Sequence, residues 1–169
     1  MTTSRLVGMR TINARVLTQE SFAKYGDVIE HRGEARRRYI PSVYEHSDDV
    51  ERGQFWVSRV EAAIAWPCAI RYLERHKYSS QTFIPLSRTA YIVVVAPSLA
   101  DGQPDADGIE AFVATASQGV CYRRGVWHHG LTVLEAPAEF AIFMGVTGKD
   151  DDEFLNLPES DYVSIVLPE

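Results

Sequence analysis

The sequence predicts an all-β fold, a double-stranded β-helix or jelly-roll barrel with few short helices. Three observations lead there. Many short runs alternate apolar and polar side chains with a period of two. Clusters of Gly, Pro, Asp and Ser separate those runs. Helical periodicity is nearly absent, so a sandwich or barrel of short strands is the architecture that remains.

In chain order, residues 1–11 read as a flexible N-terminal tail and residues 12–169 as a single domain. A short strand is expected over 13–17. Thr18 is placed to cap a helical turn over 19–25, ended by Gly26. A strand over 27–30 precedes a long polar loop, 31–53, which holds one weak strand candidate over 38–44. From Phe55 onward the signal is β throughout. Residues 55–60 alternate. In 70–76, Ile70, Tyr72, Glu74 and His76 fall on one face and Arg71, Leu73 and Arg75 on the other. Further strands are expected over 81–86, 91–96, 109–115, 119–122, 131–136, 139–146 and 162–167. An acidic turn region occupies 97–108.

Composition narrows the functional classes. Apolar residues make up 46% of the chain, enough for a core, and the formal net charge is −6. An acidic balance argues against a nucleic-acid partner, because phosphate binding needs a basic field. The single basic cluster, Arg36-Arg37-Arg38, reads as a solvated loop. Two cysteines, Cys68 and Cys121, make no disulfide framework and suit a reducing, cytoplasmic setting. No apolar run has the length needed to span a bilayer.

The densest chemistry lies in two segments. Glu74 and His76 are two apart, so a regular strand points both the same way, and Gln81 returns beside them after a turn. Taken alone, this segment reads rather as strand charges with His76 an ordinary hydrogen-bonded histidine near the surface. Gln118 to His129 supplies Gly119 and Gly125 at turns, then Trp127, His128 and His129. Adjacent strand residues face opposite sides, so only one of the two histidines is expected in a shared pocket. Together the segments resemble the two halves of a cupin metal site, with Gln81 at the position of the usual carboxylate ligand. An amide is the poorer ligand for a divalent ion.

At full length the sequence resembles the ureidoglycolate lyase family, from about Ile12 to Leu157. The resemblance is carried by Phe22 to Glu30, Leu73-Glu74-Arg75-His76, Gln81 to Pro85, Tyr91 to Ala96, Gly102 to Asp105, Ala111-Phe112 and Gln118 to His129. It implies a cupin-like β fold, a homodimer and cleavage of ureidoglycolate to glyoxylate and urea in allantoin (purine) breakdown. A divalent metal, nickel or zinc, is implied for part of the family. The chain departs from the family pattern at Lys77-Tyr78-Ser79 and at Gly130, changes expected at the pocket rim.

Ureidoglycolate carries a hydroxyl, a carboxylate and a ureido nitrogen on one carbon. Cleavage needs a base at the hydroxyl and an acid at the leaving nitrogen, with no covalent nucleophile. His76 or His128 is expected as base, with the other or Glu74 as acid. Arg38, Arg123 and Arg124 are candidates to hold the carboxylate, with Gln81 beside them. Arg75 ranks lower because it faces away from His76. If a metal binds, His76, Gln81 and His128 are the expected ligands, with Glu74 a further one. Two other readings compete: an enzyme of the same fold acting on another small 2-hydroxy or 2-ureido acid, and a non-catalytic binder of small acids.

Overall fold

A computed structural model describes residues 8–169. The strands are β1 (Arg10–Asn13), β2 (Arg15–Val16), β3 (Gly26–Ile29), β4 (Arg52–Val60), β5 (Cys68–Ile70), β6 (Tyr72–His76), β7 (Gln81–Pro85) and β8 (Tyr91–Ala96). They continue with β9 (Glu110–Ala114), β10 (Gly119–Tyr122), β11 (Trp127–His128), β12 (Thr132–Val133), β13 (Ala138–Val146), β14 (Asp152–Asn156) and β15 (Val163–Val166). Among the described residues there are also one short helix, α1 (Gln19–Phe22), and two 3-10 turns.

The strands form three layers. An outer sheet has the order β3-β10-β7-β13-β4. A central sheet runs β14-β6-β11-β8-β9-β2, with β12 also on β8. A small sheet holds β1-β15-β5. Strand β8 shows how the layers stack, because all six of its residues are buried. Tyr91, Val93 and Val95 pack with Val28, Phe83, Val120, Phe140 and Ile142 of the outer sheet. Ile92, Val94 and Ala96 pack with Cys68, Ile70, Val163 and Ile165 of the small sheet. A strand covered on both faces must be apolar throughout, and 91–96 is. Each such side chain contributes about 1.5–3 kcal/mol by leaving water. The all-β expectation is met in a layered, cupin-like sandwich, and among the described residues no sheet closes into a barrel.

Local chemistry explains where the elements differ from expectation. Arg10 and Thr11, expected in the tail, belong to β1, which pairs in parallel with β15; residues 1–7 of that tail lie outside the described residues. Thr18 caps α1 through a capping box with Ser21. The helix stops at Phe22 rather than Tyr25 because the chain tightens, with Tyr25 N–H bonding the Phe22 carbonyl at 2.9 Å. That turn brings both rings into the core. The strand candidate at 38–44 is a 3-10 turn, Pro41–Tyr44, started by a proline whose fixed φ suits that position.

The run 70–76 breaks at Arg71, whose carbonyl accepts from Leu157 N–H. Ile70 therefore belongs to the small sheet, while Tyr72, Glu74 and His76 keep their shared face on β6. Strand β14 was not expected at all. Its acidic residues disfavour a strand by propensity, and pairing along β6 at five positions supplies what propensity lacks.

Candidate active site

The central sheet turns polar at its β14-β6-β11 end. Glu74 of β6 lies opposite His128 of β11 in register, which puts both side chains on one face. His76 follows two residues on, on that same face. Its ring centroid lies 5.5 Å from that of His128. His128 Nε2 is 3.6 Å from Glu74 Oε1. One donor atom from each of Glu74, His76 and His128 falls within 4.8 Å of the others, so the three could hold a metal ion.

The outer sheet closes over this face. Tyr122 of β10 stacks on His128 at 4.2 Å with an 11° interplanar angle. Gln81 of β7 is the cross-strand partner of Tyr122, and its side chain shares that strand face. Gly119, at the start of β10, runs so close to β7 that a Cβ would meet the Phe83 carbonyl oxygen at 2.7 Å. Gly125 turns the chain between β10 and β11 with φ +73°. Its N–H donates to the His76 carbonyl at 2.7 Å, which ties the loop to the site.

The polar atoms here are both buried and unpaired. His76 Nδ1 and Nε2, His128 Nε2 and Gln81 Oε1 have no hydrogen-bond partner among the described residues. Buried polar atoms are normally satisfied, so such a cluster is costly unless a ligand or ion pairs with it. His128 Nδ1 lies 2.9 Å from the Val126 carbonyl. A carbonyl only accepts, so Nδ1 carries the proton and Nε2 presents its lone pair to the site. Burial first, then a charge on His76, pull the His128 pKa down to about 3. Burial raises the pKa of Glu74. Asp152 Oδ1 stands 3.1 Å from His76 Nδ1, within ion-pair range but off the N–H axis.

His129 ends up beside the site. Its ring lies 4.4 Å from Tyr72, and Nδ1 is 3.0 Å from Thr132 Oγ1. Strand β11 stops at His128, so alternation no longer sends the next side chain to the opposite face. Trp127, before it, does face away and packs against the small sheet.

The candidate arginines separate. Arg38 is committed to the backbone: Nη1 donates to the Val28 and Glu30 carbonyls, both at 2.8 Å, and Nη2 to Gln19. It pins the 31–40 loop. Arg75 is held by both carboxylate oxygens of Glu153 and by the Gly102 carbonyl, stacked over Trp127. Arg123 and Arg124 are exposed on the loop that Gly125 ties to His76. Arg124 Nε donates to the Lys77 carbonyl at 3.1 Å. Thus Glu74, His76 and His128 converge, and Gln81 lies across from Tyr122, which covers His128; Arg123 and Arg124 lie on the adjoining loop, and Arg38 is committed to the backbone at 28 and 30. Sequence reasoning missed Tyr122 and Asp152. The alternation of β10 carried a signal for the first; the second needed the unexpected pairing of β14.

A family profile described as ureidoglycolate lyase matches residues 9–164. A protein of Agrobacterium fabrum is 36% identical over 163 residues, covering 95% of this chain and 100% of the relative. A protein of Stutzerimonas stutzeri named ureidoglycolate lyase is 37% identical over 156 residues, covering 86% of this chain and 90% of the relative. One of Burkholderia mallei with the same name is 37% identical over 162 residues, with 90% and 92% covered. Similarity of this extent spans the strands that carry every converging residue, and the chain belongs to the ureidoglycolate lyase family.

Proposed function

We propose that this chain cleaves ureidoglycolate, the substrate in its relatives' name, to glyoxylate and urea within purine breakdown. The observation that carries the reading is the buried, unpaired group Glu74, His76 and His128. His128 Nε2 takes the proton of the carbinol hydroxyl. The C–O bond becomes a carbonyl, the C–N bond breaks, and the ureido nitrogen leaves with a proton from Glu74. Burial keeps the His128 imidazole neutral, with its lone pair available, while weakening it as a base, and it raises the proton affinity of Glu74, as an acid needs. Arg123 and Arg124 supply the cation for the carboxylate, and the Gln81 amide bonds a substrate oxygen or nitrogen. Residues 12–169 act as one catalytic domain, in the cytoplasm.

Glu74, His76 and His128 would also hold a divalent cation, nickel or zinc. Two imidazoles and a carboxylate suit such ions, and both buried Nε2 atoms lack a hydrogen-bond partner among the described residues. When bound, the ion supplies Lewis acidity toward the hydroxyl and carboxylate oxygens. Ligation would use the same His128 lone pair, so chelation separates the two uses of the ring. The test is urea and glyoxylate release from ureidoglycolate before and after chelator treatment. Release that survives chelation supports proton transfer by the side chains alone; release that stops and returns with nickel or zinc supports the metal. Binding without release would favour the binder reading instead.

A homodimer is proposed through the outer sheet. Phe55, Val57, Ile84 and Leu86 are 63%, 54%, 41% and 56% exposed. The alternation of β4 and β7 puts Phe55, Val57 and Ile84 on the face away from the core, while Trp56 packs inward. Burying this face would also cover the free edge of β4. A sedimentation mass equal to one chain would refute it.

A further inference from the structure

Tyr72 lies on the same face of β6 as Glu74 and His76, two residues before the carboxylate. Its ring is held in a row of three, 4.7 Å from Phe154 and 4.4 Å from His129. The phenol oxygen has no hydrogen-bond partner among the described residues. Unlike the nitrogens of His76 and His128, it is not sealed from solvent, so it is open to a ligand as well as to water.

Gly130 shows where that hydroxyl points. Its φ is not in the positive region that favours glycine, so backbone conformation does not demand the residue. A Cβ there would stand 3.1 Å from Tyr72 Oη and 3.8 Å from Glu74 Oε1. The missing methyl keeps open a small space bordered by the phenol on one side and the carboxylate on the other.

We infer that Tyr72 is a specificity-determining residue whose phenol donates a hydrogen bond to the ureido carbonyl oxygen, in a subsite that Gly130 keeps open. The inference rests on the activity proposed above. If Glu74 protonates the leaving ureido nitrogen, the ureido group must lie beside Glu74, and the space next to Glu74 is the one Tyr72 Oη borders. A phenol is a donor to a carbonyl in that position.

The test compares wild type, Tyr72→Phe, Gly130→Ala and the double variant. Each is measured for urea release and for binding of two probes. Ureidoacetate keeps the ureido group and lacks the hydroxyl; glycolate keeps the hydroxyl and lacks the ureido group. Tyr72→Phe should raise KM and weaken ureidoacetate binding about tenfold, the worth of one hydrogen bond. Glycolate binding and the melting temperature should not move. Gly130→Ala should weaken ureidoacetate in the tyrosine background but cost little more once the phenol oxygen is gone. Unchanged ureidoacetate binding in Tyr72→Phe, or equal weakening of both probes, overturns the inference. Wild type that binds ureidoacetate yet releases no urea defeats the proposed activity, and the binding series still decides the role of Tyr72. Wild type that does neither defeats both.

Discussion

The two ends of the central sheet are built to opposite rules. In β8, six buried residues are all apolar, and each side chain meets another layer. In β6 and β11, His76 and His128 are as deeply buried, at 5% and 1% exposure, yet present nitrogen atoms that nothing among the described residues satisfies. One end lowers the free energy of the fold. The other raises it and holds chemistry in return, since unsatisfied buried polar groups persist where a ligand can use them. The same strand alternation serves both ends; only the residues placed on it differ.

Substitutions at the two ends should therefore dissociate activity from stability. His128→Ala is expected to lower kcat/KM for urea release by about 1,000-fold, within the range for loss of a positioned acid or base. Its melting temperature should fall too, because truncation empties the space of a buried ring and leaves the Val126 carbonyl unpaired, so the loss of activity is read per folded molecule. Glu74→Gln should cost about 100-fold by the same assay. At the apolar face, Phe140→Ala should cost about 3–5 kcal/mol in denaturant unfolding, while the surviving folded fraction cleaves at the wild-type rate. A His128→Ala variant that unfolds yet cleaves normally per folded molecule would erase the contrast.

The pH dependence of stability sharpens it. Burial pulls the His129 pKa down to about 4, and that of His128 to about 3. Unfolded, each imidazole titrates near 6.5, so below that pH the unfolded chain binds protons that the folded chain refuses. Stability of the metal-free protein should thus be flat with respect to these groups above about pH 6.5. It should fall as pH drops toward 4, by about 1.4 kcal/mol per pH unit for each ring. His129→Gln should remove one such contribution, read from denaturant midpoints at pH 4.5, 5.5 and 7. The smallest effect is expected at Asp152, whose side chain is 74% exposed. Asp152→Asn should lower kcat less than about fivefold, in keeping with the weakness of exposed charge pairs.

Much of the fold was legible because strand periodicity is a local signal. The run 91–96 and the run 119–122 are strands with the predicted bounds. Pairings between distant strands were not legible. Asp152 reaches His76 only because an acidic segment is recruited as an edge strand along β6. Alternation correctly put Glu74 and His76 on one face, since β6 is regular there. It allowed only one of the two adjacent histidines into the site; His128 stands with Glu74 and His76, and His129 sits at the turn that follows β11. Arg38 looked like a substrate anchor because a guanidinium suits both a carboxylate and backbone carbonyls; sequence does not distinguish the two partners, and the loop carbonyls at 28 and 30 claim it.

The site works as a unit only if the imidazoles of β6 and β11 act on the same substrate. Urea release should be measured for His76→Ala, His128→Ala and the double variant, each with its melting temperature. The prediction is a severe loss in both single variants and little further loss in the double, as for groups that serve one step. Near wild-type turnover in either single variant, with the fold intact, would contradict it.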